Sequence, residues 1–381
     1  MLRFLIKLTK SKLFHLLPLL LAISFNCYAS SAHISQYYQI HKFIQEMVTH
    51  YNFDKKNLDR IFNDVQFRPD VIDSMNKPAE SLSWDRYRAL FITPKRIQLG
   101  AQFWHAHAKA LALAQKRYGV SPSIIVAIIG VETFYGKNSG NYRVIDTLST
   151  LAFAYPPRQK YFRNELKEYL LLTRELGLDP LELRGSYAGA IGLPQFMPSS
   201  YRTFAVSMNN SPHIDLINNP NDAILSVANY FKNNGWQPGQ PVDTRAHIKK
   251  PSAVNLVHKF GKPQMTLAEF ARSGVHPTGR YNQQKKAALI QLQGKKSSEY
   301  WLTFANFYSI IRYNGSINYA MVTYQLSQNI AQQMKTKAKP TLAPPPSVAK
   351  PKVVHGQLST IKKPQLHLTH QPLSSDPGMQ I

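Results

Sequence analysis

The stretch "IIVAIIGVETFYG", residues 124–136, decides how this chain is read. Seven apolar positions, interrupted only by Gly130, run into a carboxylate, Glu132. Ser121 stands as N-cap and Pro122 at the first helical position, so the sequence predicts a buried helix from Pro122 towards Gly136. Glu132 then falls in its last turn. There the negative end of the helix dipole and the loss of water both disfavour the charged form, which leaves a carboxylic acid able to give up a proton. The competing explanation is a buried Glu paired with an Arg or Lys elsewhere, and position alone does not choose between them.

Two further stretches carry groups suited to sugars. "GSYAGAIGLPQFMPSSY" (185–201) has three glycines, two alanines and no charge, with Ser186, Tyr187 and Gln195 as polar groups. Small residues let a backbone approach a ligand closely, and Ser and Gln hydrogen-bond hydroxyls and acetamides. A tight loop-to-helix corner would explain the same composition. "RYNGSINYA" (312–320) sets Tyr313 and Tyr319 around Asn314; aromatic faces suit the apolar faces of sugar rings, and ordinary helix packing is the alternative.

Composition bounds the rest. The 381 residues suggest two or three domains, and 44% hydrophobic residues imply that most of the chain folds. The formal charge is +25. Setting aside four basic residues in 1–29, and seven lysines against Asp376 in the last 47 residues, leaves about +15 for the middle. Such a surface favours nucleic acid, anionic membrane or an acidic cell-wall glycan. The N-terminus narrows that choice, because a basic start, an apolar run from Leu13 to Phe25 and the Cys-Tyr-Ala ending before Ser30 have the layout of a secretory signal. A stretch of thirteen residues is short for a membrane span. Cleavage is expected after Ala29, with lipid attachment at Cys27 as the alternative. Cys27 is the only cysteine, so cleavage leaves no disulfide, and export argues against nucleic acid as a partner.

The expected organisation is a signal segment (1–29), an N-terminal helical region (30–120), the first part of the core (121–240), a small strand-containing insert (241–299), the second part of the core (300–334) and a disordered basic Pro/Lys-rich tail (335–381). In the N-terminal region, 93–119 reads as one helix with Thr93 as N-cap, Pro94 in the first turn and Gly119 past the end. His105 and His107 point apart on such a helix and read as surface or packing residues, not metal ligands. Helices are also expected around 161–176 and 222–233. "AALIQLQ" reads as a strand, and the stretch from Tyr300 onward as a return to helix.

Five segments together become recognisable: "GVETFYG", "TLSTLAFAYPPRQKYF", "GSYAGAIGLPQFMPSSY", "ANYFKNNGW" and "RYNGSINYA", in order and at reasonable spacing, within a similarity that extends from about residue 35 to 333. In them the chain resembles the membrane-bound lytic murein transglycosylase B family, with its transglycosylase SLT type 2 domain. The resemblance implies a mainly α fold, a lysozyme-like helical core with an N-terminal helical region and a small strand-containing insert. It implies cleavage of the β-1,4 bond between N-acetylmuramic acid and N-acetylglucosamine in peptidoglycan, with no cofactor. Glu132 matches the family's single catalytic acid/base. Ser186, Gln195, Tyr230, Tyr313, Asn314 and Tyr319 match residues lining the glycan cleft, and Arg158 and Tyr161 fall where the family has further cleft residues. The family often has two arginines there, whereas here Pro157 takes the first place.

The family mechanism uses the substrate's N-acetyl carbonyl as nucleophile and closes a 1,6-anhydro ring without water. One acid suits that route, since most glycosidases need two carboxylates and the second and third stretches contain none. A hydrolytic muramidase would need a partner, for which Asp146 and Glu165 are the candidates. A non-catalytic peptidoglycan-binding protein is the third reading, against which the retained Glu132 motif counts. Some members hold calcium in a loop resembling an EF-hand. The matching segment here offers Ser207, Asn209, Ser211 and His213, with Asp222 downstream, and lacks at least two of the carboxylates such a loop uses, so no metal is expected. The implied setting is the periplasm, with outer-membrane association as a variant. The implied state is a monomer on peptidoglycan glycan strands, with cell-wall synthesis or division proteins as further partners.

Overall fold

Residues 37–337 are described by the structure, a computed structural model. The signal segment, Cys27 and residues 338–381 lie outside the described residues, while 335–337, assigned above to the tail, still belong to the last helix. The helical N-terminal part comprises α1 (37–51), α2 (Lys55–Asp64), α3 (Pro69–Met75), α4 (Trp84–Phe91), α5 (Pro94–Ala106) and α6 (Ala108–Tyr118). Then come α7 (Pro122–Thr133), β1 (Tyr142–Arg143), α8 (Val144–Ala154), α9 (Gln159–Leu176), β2 (Arg184–Gly185), α10 (Pro198–Phe204) and α11 (Pro220–Asn233). The insert follows as β3 (Asp243–Ile248), β4 (Met265–Thr266), α12 (Leu267–Arg272), β5 (Val275–Pro277), β6 (Lys286–Gln293) and β7 (Ser298–Thr303). Finally α13 (Ala305–Asn314) and α14 (Ile317–Lys337) return to the core.

Every residue of α7 is buried. A helix that is apolar all round has no face to give to water, so it sits centrally, and α5, α6, α11 and α14 pack around it. Ser121 occupies the N-cap position, but its hydroxyl meets Ser123 Oγ at 2.9 Å instead of capping a backbone N–H. Thr93 does cap α5, accepting from Arg96 N.

Two expectations differ from the structure. The single helix over 93–119 is broken at His107 (φ −116°, ψ 27°). The break lets α5 lie against α7 and α14 while α6 turns to α11, and no straight rod serves both. His105 is exposed, and the His107 ring packs 4.5 Å from that of Phe103. Secondly, "YWLT" is strand and not helix: β7 pairs antiparallel with β6, with Ile290 opposite Trp301, and helix resumes only at Ala305. The antiparallel sheet has the order β4-β6-β7-β3-β5 and covers a small separate core built on Leu267, Phe270, Val275, Leu289 and Leu302. Its last strand ends at Thr303, four residues past the expected insert boundary.

Candidate active site

Helix α7 stops at Thr133, one residue past Glu132, because the chain turns left-handed three times in succession: Phe134 (φ 52°), Tyr135 (φ 63°) and Gly136 (φ 83°). Two of these are bulky, a conformation that costs about 1–2 kcal/mol per residue and persists only when surroundings impose it. Thr133 holds the corner from inside. Its Oγ1 lies 3.2 and 3.1 Å from the carbonyls of Ile129 and Leu193 and accepts from Gly136 N at 3.0 Å. Tyr135 holds it from outside by folding back along α7 to donate to the Arg96 carbonyl at 2.9 Å. The one break in the apolar run is thereby explained. A Cβ on Gly130, or on Gly100 of α5, would lie 2.5 Å from the Tyr135 hydroxyl.

Glu132 is 8% exposed and its Oε1 accepts from Tyr319 Oη at 2.5 Å. Tyr319 comes from the first turn of α14, just past Gly315 (φ 86°), and Tyr313 from the last turn of α13 just before it. The two rings lie parallel, 6.3 Å apart. Tyr313 donates to the Pro194 carbonyl at 2.7 Å, and its ring is 4.9 Å from that of Tyr230, which donates to the Arg312 carbonyl at 2.6 Å. Burial first, and the Glu132 charge second, push the Tyr313 and Tyr319 hydroxyls well above the ordinary phenol range. Both stay protonated, so Tyr319 remains a donor to Glu132.

A pocket opens over Glu132, walled by Phe91, Arg96, Phe134, Asn138, Ser186 and Gln195. Glu132 is the one carboxylate on its wall among the described residues. Ser186 Oγ accepts from Ala188 N and Ala190 N, which fixes the glycine-rich turn beside the pocket. Gln195 (φ 50°) spends its amide nitrogen on the carbonyls of Ser139 and Gly192, at 3.1 and 2.9 Å. It also belongs to a second pocket with Tyr161, Glu165, Ser199, Tyr230, Arg312 and Tyr313, so the two pockets meet at Gln195. Arg158 stacks over Tyr161 at 4.5 Å, and one of its terminal nitrogens is buried without a hydrogen bond. Asn314 and Tyr319 are fully buried, behind the cleft wall and not on its surface.

Both candidate second carboxylates lie off the Glu132 pocket wall and accept hydrogen bonds from protein groups. Asp146 is held by Arg143 at 2.8 and 2.9 Å and by Gln66 N at 3.0 Å. Glu165 accepts from Ser199 through both oxygens, at 3.0 and 2.7 Å. Burial raises its carboxyl, and the Ser199 bonds oppose that rise.

Residues 35–328 match the transglycosylase SLT domain. The chain belongs to that family. It is 41% identical over 300 residues to the membrane-bound lytic murein transglycosylase B of Escherichia coli K12, covering 76% of this chain and 82% of the relative. Its fold is similar to the soluble lytic transglycosylase SltB1 of Pseudomonas aeruginosa, with 47% identity and a TM-score of 0.73 over 78% of this chain and 99% of that one. It is also similar to SltB3 of the same organism in complex with NAG-anhNAM-pentapeptide, with 28% identity, a TM-score of 0.68 and coverage of 78% and 80%. The mainly α fold with a lysozyme-like core is that of these transglycosylases.

Within this transglycosylase domain, sequence reading missed Arg96. Its guanidinium is clamped between the rings of Phe91 (5.0 Å) and Phe134 (4.9 Å), and it donates to the Leu90 carbonyl beside the Glu132 pocket. The only trace in the sequence is the Thr93 cap, which places Arg96 in the first turn of α5. The segment compared with a calcium loop is organised by its own side chains. Ser207 Oγ accepts from Asn209 N and Ser211 N, and Asp222 accepts from Met208 N and Asp215 N. Asp215 likewise accepts from Ile217 N and Asn218 N, and a donor set whose two carboxylates are both committed to N–H groups does not fit calcium.

Proposed function

We propose that the chain is an exported lytic murein transglycosylase that cleaves the β-1,4 bond between N-acetylmuramic acid and N-acetylglucosamine and leaves 1,6-anhydro ends. The observation that carries this reading is Glu132 at the end of α7, bonded to a buried phenol and alone as a carboxylate on its pocket wall. A pocket with one acid can donate a proton but cannot also supply a carboxylate nucleophile.

The substrate supplies the missing group. Glu132 gives its proton to the glycosidic oxygen as the bond to C1 breaks, and the acetamide carbonyl oxygen on the same sugar bonds to C1, forming an oxazolinium ion. Tyr319 keeps its hydrogen bond to the resulting carboxylate. Glu132 then takes the proton of the C6 hydroxyl, whose oxygen attacks C1, restores the acetamide and closes the anhydro ring. An intramolecular hydroxyl competes well against water, because effective concentrations reach about 10⁵–10⁸ M. Ser186, Gln195, Tyr161 and Tyr230 bear on the sugars. Tyr313 and Asn314 brace that wall, and Arg158 supports Tyr161. Peptide-bearing strands are the substrate, in keeping with the pentapeptide ligand of the SltB3 neighbour.

Digestion of purified peptidoglycan in ¹⁸O-water tests the reading. Products should carry no label, weigh one water less than hydrolysed fragments and resist borohydride reduction. Stoichiometric ¹⁸O at the new sugar end would replace the reading with a muramidase.

A further inference from the structure

The second pocket of the cleft reaches Arg312, and Arg312 also stands on the wall of a separate cavity of about 540 Å³. The insert supplies one side of this cavity through Lys262, Lys285 and Lys286, and the β7–α13 junction supplies Phe304 and Tyr308 on the other. Among the described residues, none that lines it is acidic. Lys285 Nζ donates to Gln240 Oε1 at 2.7 Å and sits 6.0 Å from the Phe304 ring, which fixes one charge at the wall. Glu269 interacts with Lys286 but does not line the cavity; it accepts from Thr266 N and Oγ1 in the capping box of α12.

We propose that this cationic cavity receives the carboxylates of the stem peptide carried by a strand lying in the cleft. The assignment rests on the transglycosylase reading and names a part of the substrate that the catalytic pocket does not explain. Sugars are neutral, and in an intact strand the lactyl carboxyl of N-acetylmuramic acid is consumed as an amide to the peptide. The strand's negative charge therefore lies in the peptide, on side-chain and C-terminal carboxylates. A cavity lined by four cations and, among the described residues, by no acid, which shares Arg312 with the second pocket, is complementary to that part. An extended pentapeptide spans about 17 Å, enough to leave one sugar site and enter the next cavity. Clefts between a core and an insert are common places for ligands.

The test compares the full chain with the variant Lys262→Gln/Lys285→Gln/Lys286→Gln on two soluble substrates: peptide-bearing glycan strands, and the same strands stripped of peptide by an amidase. At low salt the variant should lose about tenfold in kcat/KM on peptide-bearing strands, through KM and not kcat, since each partly exposed pair contributes modestly. On stripped strands it should equal the wild type. The difference should disappear near 0.5 M salt, where charges are screened within a few ångströms. Arginines at the same three positions should restore the wild-type preference and separate loss of charge from loss of fold. Binding of the two substrates to Glu132→Gln protein, with and without the lysine changes, decides the question without turnover. Equal losses on both substrates, or no loss on either, would overturn the assignment while leaving the transglycosylase reading intact. Hydrolytic products with a peptide-selective loss would instead overturn that reading and keep the cavity.

Discussion

The two pockets that meet at Gln195 each have a buried glutamate in the wall, and the difference between them shows what burial of an acid is for. Glu165, 2% exposed, is satisfied by Ser199 from two directions and joins the start of α10 to α9. Glu132 is held through Oε1 by a phenol, on a helix end whose backbone the chain has forced into a left-handed corner. A carboxylate that receives backbone and hydroxyl donors has a structural task; one that faces a pocket from a helix end with a protonated phenol at its side has the arrangement that the proposed acid/base role of Glu132 requires.

The most severe way to break this contrast is to exchange the two acids' fates. Glu132→Gln should keep the fold and lose activity by about 10²–10⁴-fold, the usual share of general acid–base catalysis. Glu165→Gln should keep activity within a few-fold and lower stability by about 1–3 kcal/mol, because the Ser199 donors lose a charged acceptor. Kinetics on soluble strands and denaturant melts of both proteins would show it. Comparable activity losses in the two variants would end the contrast.

Tyr319→Phe tests the phenol alone. It removes a 2.5 Å bond to Glu132 without emptying the space, and a bond to a charged group is worth about 1.5–3 kcal/mol, so kcat should fall about 10–100-fold. An unchanged kcat would make Tyr319 a packing residue.

A half-buried acid, Asp243, extends the comparison to stability. Burial pushes the Asp243 carboxyl up to about 7, and its Oδ2 has no hydrogen-bond partner. A raised carboxyl in the folded state favours the neutral form. Its contribution is therefore fully present below the unfolded value near 4 and is lost as pH rises through about 7. Asp243→Asn should remove about 1–3 kcal/mol of that pH dependence and be more stable than the wild type at pH 8. Parallel pH–stability curves for the two proteins would refute this.

The smallest effect expected is that of calcium. Asp222 accepts from two backbone N–H groups, as Glu165 accepts from Ser199, so it belongs with the structural acids. Millimolar calcium should leave Tm unchanged, whereas a folded-state ligand in excess of its Kd would raise it. A chelator-reversible increase would refute this.

What could be read ahead of the structure followed local physics. The all-apolar run required a central helix, and Glu132 at its end needs no tertiary information. The corner beyond it was opaque, because the fit of Tyr135 against Gly130 and Gly100 joins residues from two helices. The Tyr319–Glu132 bond spans 187 positions, so motif likeness could suggest both residues but not that they touch. The break at His107 and the strand at Tyr300–Thr303 were decided by neighbours: α11 for the one, β3 and β6 for the other. Each sequence by itself supported helix.

The wedge of Tyr135 between two glycines has a consequence for how such sequences drift. Replacing Gly100 or Gly130 singly drives a methyl group into the phenol, while replacing Tyr135 singly leaves a void against two bare stretches of backbone. Gly130 and Tyr135 are therefore coupled, Gly100 is held by Ile330 as well as by Tyr135, and a single change at any of the three bears its cost at the corner that aims Glu132. Such coupled positions are expected to drift more slowly than the exposed residues of the cleft. A search for distant kin whose sugar-contacting residues have been rewritten would do well to begin from the pairing of Gly100, Gly130 and Tyr135.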